Sequence, residues 1–340
     1  MQYLLPINSI SFVLHPNVVV YCLEKRSTGP LLMLKTIKKE KKEKFRTYVA
    51  ESYMKYLQNY TSVIEKRFPA AMKMYRIFSI GIKEFYNDLK AYISLSIKIN
   101  RDQSFSNISR QDIELYHKMP ADMWRIAPVL ILSAIPFGNY VIFPLAFLKP
   151  RKLLCSHFWS TQQRSEFSIL ELQERQKHNT PVIKALKSKI SAIPNDHVKL
   201  TWMNIIAILN NGDALTSKDV LQCKKLFEEK PFSLENINYQ HAGHLLKLHG
   251  LSAIIFRLKK LRYRALILCE MDKAILREGG VGSMSVESLT KACQIRGLNS
   301  SNLKKQDMVC WLKQWLIVSQ VVDKKSYSLL LHCPIFFQKN

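Results

Sequence analysis

The sequence predicts an all-α protein carrying one apolar segment long enough to cross a membrane. Three observations lead there. Apolar residues recur at three- and four-residue steps over most of the chain. Only 10 of the 340 residues are glycine, too few for a turn-dense β architecture. Between Ile126 and Leu148 there are 23 consecutive residues with no charge.

The first 45 residues read as a targeting or disordered segment. Residues 1–23 are uncharged and do not resemble an Arg-rich amphipathic presequence. A lysine-rich run from Lys35 to Arg46 follows. Residues 46–123 read as a helical region before the membrane. Phe45, Val49, Tyr53, Tyr56, Leu57, Tyr60 and Ile64 make a helical stripe, Pro69 interrupts it, and a second helix runs to about Lys98.

Residues 124–148 are expected to form a transmembrane helix, at ~1.5 Å per residue against a hydrocarbon core of ~30 Å. Pro128, Pro136 and Pro144 would each cost ~3 kcal/mol inside a soluble helix, and spanning helices tolerate them better. Arg125 on one side and Lys149, Arg151 and Lys152 on the other are candidate membrane-interface residues. The second side is the more basic, which places the C-terminal part on the side from which insertion starts.

Residues 149–340 read as a helical domain. Helices are expected over Leu153–His178, Val182–Ile193, His197–Asn210, Ser217–Glu229, Asn236–His249 and Leu251–Gly279. Ser285 caps a further helix that ends at Gly297, and a last long helix runs from about Asn302 to Ser319.

Charge sets the class of partner. Lys+Arg number 51 against 26 Asp+Glu, a net +25, which favours polyanions. Arg257, Lys259, Lys260, Arg262 and Arg264 crowd one helix and are candidate phosphate-contacting residues. Arg296, Lys304 and Lys305 are further candidates. No metal, cofactor or catalytic set is expected. The seven cysteines form no C-x-x-C pair and fit a reducing compartment. His241 and His244 lack the H-E-x-x-H context, Gly279-Gly280-Val281-Gly282 lacks the Lys-Ser/Thr of a phosphate loop, and Asn210-Asn211-Gly212-Asp213 is no EF-hand.

The text Asp272-Lys273-Ala274, Gly280-Val281, Ser285-Val286, Leu289, Ala292-Cys293, Arg296-Gly297, Trp311-Leu312, Gln314-Trp315-Leu316 and Ser328-Leu329-Leu330-Leu331 resembles the LETM family of mitochondrial inner-membrane proteins. Pro136-Phe137-Gly138-Asn139-Tyr140, Pro150-Arg151-Lys152-Leu153-Leu154 and His157-Phe158-Trp159 resemble its short LETM-domain-containing branch. The resemblance implies a helical, 14-3-3-like ribosome-binding domain in the matrix, attached to an inner-membrane segment, while the uncharged residues 1–23 leave an outer-membrane location open. Its implied partners are the mitochondrial ribosome, through rRNA or ribosomal proteins, and the lipid bilayer. Self-association is left open. The long members imply cation/proton exchange as an alternative, and a protein-interaction scaffold is a third. Transport fits poorly, because the only strongly polar side chain near the middle of the apolar segment, Asn139, cannot carry a proton.

Overall fold

The computed structural model describes residues 69–133, 135, 138–300 and 302–338, and no strand occurs among them. The chain divides into a unit of residues 1–72, of which only the opening turn of one helix is described, and a compact unit of residues 73–340. The expected targeting segment and the stripe from Phe45 to Ile64 lie outside the described residues.

Helix α1 (Pro69–Asp102) places proline at the first helical position, where its missing N–H costs nothing. A short loop leads to α2 (Arg110–Ser133), whose first turn is capped by Ser109 Oγ accepting from the Asp112 amide at 3.1 Å. The first half of α2 is buried domain core. Ile113 and Met119 are fully enclosed, and Ile113 shares a cluster with Ile267, Met271 and Ala274.

The structure corrects the expected single transmembrane helix. The apolar segment is broken between α2 and α3 (Gly138–Leu148), and among the described residues no helix is long and apolar enough to cross a membrane. Pro136 disfavours helical geometry at Ile135 and supplies no N–H, so the chain turns there, with the Gly138 amide donating to Ile135 O at 2.9 Å. The two arms pack on each other as a hairpin. At ~1.5 Å per residue, the 11 residues of α3 reach ~16 Å, about half a hydrocarbon core. Leu130, Ile131, Leu132, Val141, Phe147 and Leu148 are exposed along the hairpin.

The hairpin returns into α4 (Pro150–Leu153) and a 3₁₀ turn at Ser156–Phe158. Leu154, Cys155, Phe158 and Trp159 bury its base. Helix α1 crosses this turn closely: a Cβ on Gly81 would meet Phe158 Cδ1 at 2.7 Å and His157 O at 2.8 Å, so only glycine fits. His157 Nε2 lies 2.8 Å from Asp88 Oδ2 in the same crossing.

The remaining helices follow, and all but the first of them contribute to one core. They are α5 (Thr161–Gln176), α6 (Asn179–Lys187), α7 (Asp196–Asn210), α8 (Ser217–Gln222), α9 (Lys224–Glu228), α10 (Tyr239–Leu248), α11 (Arg257–Arg277), α12 (Val286–Ile295), α13 (Lys305–Val321) and α14 (Tyr327–Phe336). Ser160, Asn195, Thr216, Asn238 and Ser285 each cap a helix start through a side-chain oxygen, worth ~1 kcal/mol apiece. The helix expected from Val182 begins earlier, at Asn179, because Pro181 fits within its first turn. The helix expected from Leu251 begins only at Arg257, after a loop whose last residue, Phe256, has a left-handed φ of 54°. Helix α14 is buried on every side, and its Phe336 joins Trp202, Phe227 and Phe232 in an aromatic cluster with centroids 5.0–6.4 Å apart.

Candidate functional site

The signature residues that are distant in sequence meet at one buried carboxylate. Asp272 on α11 is 2% exposed, and Arg296, just past α12, is fully enclosed. Asp272 Oδ1 accepts from Arg296 Nε at 3.0 Å and also from Arg296 Nη2. Asp272 Oδ2 accepts from Trp315 Nε1 at 2.9 Å and from the Ser319 hydroxyl, both on α13. Arg296 spends a further N–H on Ala292 O at 2.7 Å, so the ion pair is enclosed in hydrogen bonds. Gly297 follows with φ 97°, and a Cβ there would press on Pro334 at 3.0 Å.

Two more buried arginines reach the same turn. Arg175 of α5 donates to Leu248 O at 2.7 Å and to Gln294 O at 3.1 Å. Arg264 of α11 donates to Ile295 O at 2.8 Å and lies 3.0 Å from His117 Nε2. Both guanidiniums thus satisfy carbonyls at helix C-termini, where the helix dipole favours positive charge. Burial, and then the nearby charges of Arg175 and Arg296, push the Arg264 pKa down to about 9, which leaves it charged at neutral pH. His117, facing Arg264, is pushed down to about 3 by burial, then by that charge, and is neutral.

These placements sort the basic candidates. Arg264 and Arg296 are structural and cannot meet a partner, because each is enclosed by the helices it ties together. Arg257 is half-buried. Its guanidinium sits 3.5 Å from the Tyr239 ring centroid and donates to Ala253 O and Tyr239 O. Lys259, Arg262, Lys304 and Lys305 are exposed. Lys260 spans to Ser252 O at 3.0 Å, and Arg262 pairs with Glu235 at 2.9 Å.

Of the expected membrane-interface residues, Arg125, Arg151 and Lys152 come together around one cavity at the base of the hairpin, and Lys149 is exposed beside them. Asn139 lies on α3 near the turn. Sequence reasoning missed Asp272 and Arg175 as keystones. Nothing in the spacing of either residue marks a partner so far along the chain.

The histidines hold no metal-type cluster: among the described residues no three metal ligands converge. His332 Nδ1 donates to Ser328 O at 2.6 Å, so its Nε2 accepts from His241 Nε2 at 2.9 Å. Burial lowers both pKa values, to about 4 for His332 and about 2 for His241. His178 and His244 form a second, half-buried pair with their Nδ1 atoms 3.2 Å apart. The Gly279-Gly280 pair terminates α11, with φ of 96° and 77°.

A protein-family profile described as "LETM1-like, RBD" matches residues 108–336, from the start of α2 to the end of α14. The chain is also similar to proteins named LETM1 domain-containing protein 1. It is 26% identical over 287 residues to that of Xenopus tropicalis, covering 83% of this chain and 82% of the relative. It is 24% identical to those of Homo sapiens and Bos taurus, covering 83% of this chain and 79% of each. A profile spanning most of the folded unit, with its signature residues joined at Asp272, places the chain in the LETM1-like family that carries this RBD.

Proposed function

We propose that this protein holds the mitochondrial ribosome at the inner membrane, with its basic helical domain in the matrix, and so supports inner-membrane protein biogenesis and organelle structure. The match of residues 108–336 to the RBD is the observation that carries this reading. The net charge of +25 supports it, as a polyanionic partner requires. The exposed or half-exposed residues Lys259, Lys260, Arg262, Lys304 and Lys305 are the side chains that would meet ribosomal phosphate or acidic protein surface. The role is one of binding and not of catalysis. Attachment to the bilayer is through the hairpin, whose apolar side chains face outward.

The test is co-sedimentation of the full chain with purified mitochondrial ribosomes across a salt series. Binding should fall steeply with salt. Changing Lys259, Lys260, Lys304 and Lys305 to Gln should flatten the slope by about one unit for each phosphate no longer neutralised. Absence of binding at any salt would retire the ribosome role.

A further inference from the structure

We infer that the cavity at the base of the hairpin is a binding site for the phosphate headgroup of an anionic phospholipid. The cavity is about 410 Å³, within the ~300–1,000 Å³ of small-ligand sites. It lies where both arms of the apolar hairpin end: Arg125 is the residue before Ile126, and Arg151 and Lys152 follow Leu148 at short remove.

Its walls are strongly cationic. Arg125, Arg151, Lys152, Arg175 and Lys247 line it with His178, against two carboxylates, Glu171 and Glu174. Glu174 is committed to Arg151, with paired bonds of 3.1 and 2.7 Å. Lys152 and Lys247 form no direct ion pair among the described residues, and the Glu174 carboxyl, held down chiefly by its bond to Arg151, also feels Lys152. Arg125 lies over the Trp159 ring, 6.0 Å from its centroid. Beneath the cavity Arg175 is buried, hydrogen-bonded to helix carbonyls and only partly offset by the nearby Glu171 carboxylate, so five cations face two acids around the lining. A cavity with such a floor focuses positive potential outward, toward an anion.

The surrounding surface fits a bilayer and not a free solute. Helices α2 and α11 run antiparallel, since the Arg110 amide meets Glu278 and His117 meets Arg264. At the other end of that pairing, Arg125, the residue after Trp124, lines the cavity together with Gly250 and Leu251, where the loop before α11 begins. Trp124 is 82% exposed there, and the loop before α11 presents Ile254 at 77% and Phe256 at 71%. Exposed aromatic and apolar side chains mixed with Lys and Arg are the composition of a membrane interface. A phospholipid seated with its phosphate in the cavity lays its acyl chains along the exposed face of the hairpin.

This inference rests on membrane attachment but not on ribosome binding. The experiment is flotation of the purified full chain with vesicles of phosphatidylcholine alone, or with one-fifth phosphatidylglycerol. The wild type should bind the anionic vesicles about tenfold more tightly. Lys152→Glu with Lys247→Glu should reduce that to the phosphatidylcholine level. Lys304→Glu with Lys305→Glu, the same charge change elsewhere, should keep the discrimination. Equal loss in both double variants, or none in the first, would overturn the site. Thermal unfolding with millimolar glycerol 3-phosphate separates the two sources of phosphate. Stabilisation by that solute without any vesicle discrimination would overturn the lipid assignment in favour of a free phosphate ligand. Loss of ribosome co-sedimentation with vesicle discrimination intact would sink the ribosome role alone.

Discussion

Asp272→Ala removes the acceptor for four hydrogen bonds at once and leaves the Arg296 guanidinium buried with Ala292 O as its remaining hydrogen-bond acceptor and the Trp315 ring 6.0 Å away. Breaking one side of a buried ion pair costs ~3–5 kcal/mol, because the remaining charge has lost its compensation. Trp315 Nε1 and the Ser319 hydroxyl are orphaned as well, which places this site toward the upper end of the range. With a urea slope of about 3 kcal/mol/M, the unfolding midpoint should fall by about 1–1.7 M. Tryptophan fluorescence is a suitable probe, since Trp315 donates directly to Asp272. Asp272→Asn should still cost ~2 kcal/mol, as an amide N–H₂ must face one of the four donors. Asp272→Leu combined with Arg296→Met should recover much of the loss, because replacing both charges avoids burying either one alone. A midpoint shift below ~0.3 M for Asp272→Ala, or strict additivity in the double variant, would refute the view that this pair organises the junction of α11, α12 and α13.

Three further outcomes follow from the same geometry. Gly81→Ala puts a Cβ within 2.8 Å of a backbone oxygen and should cost ~1–3 kcal/mol, with faster amide exchange in α1; an unchanged exchange pattern would count against the close crossing. Stability should decline with acid before the carboxylates titrate. His241 and His332 have folded pKa values lowered to about 2 and about 4, so the unfolded chain binds more protons below pH ~6.5. Their contribution is complete above pH ~6.5 and is lost as pH falls toward those folded values, at up to ~1.4 kcal/mol per pH unit for each; a urea midpoint that stays flat from pH 7 to 5 would contradict this. Both flanks of the hairpin should lie on one side of the bilayer, since α2 before it and α11 after it share a core. An impermeant maleimide should therefore label Cys310, which is exposed, and a cysteine at Ser104 from the same side of sealed proteoliposomes; labelling from opposite sides would restore a single span.

The apolar segment shows how far local text reaches. Its length, its lack of charge and its basic flanks are one-dimensional properties, and they correctly marked where the chain is most apolar. Whether it forms one helix or two depends on where its neighbours pack. The core shared by Ile113, Ile267 and Met271 is set by residues some 150 positions apart, and it holds both flanks of the segment in one folded unit. The helix start at Ser285 was readable for the opposite reason, because a cap satisfies amides within three residues of itself; the helix expected from Leu153 instead starts at Thr161, capped by Ser160, after a separate short helix and a 3₁₀ turn. The run of cations on α11 looked uniform in sequence. A helix turns 100° per residue, so the fold buried Arg264, half-buried Arg257 and left Lys259 in solvent. The sequence by itself determined the helical class, the charge and the family signature, all of which are local or compositional. Only the tertiary structure decided that Asp272, Arg296 and Trp315 share one buried network and that Arg125, Lys152 and Lys247 surround one cavity. Those partnerships depend on how helices cross, and helix crossing is fixed by packing between elements far apart in the chain.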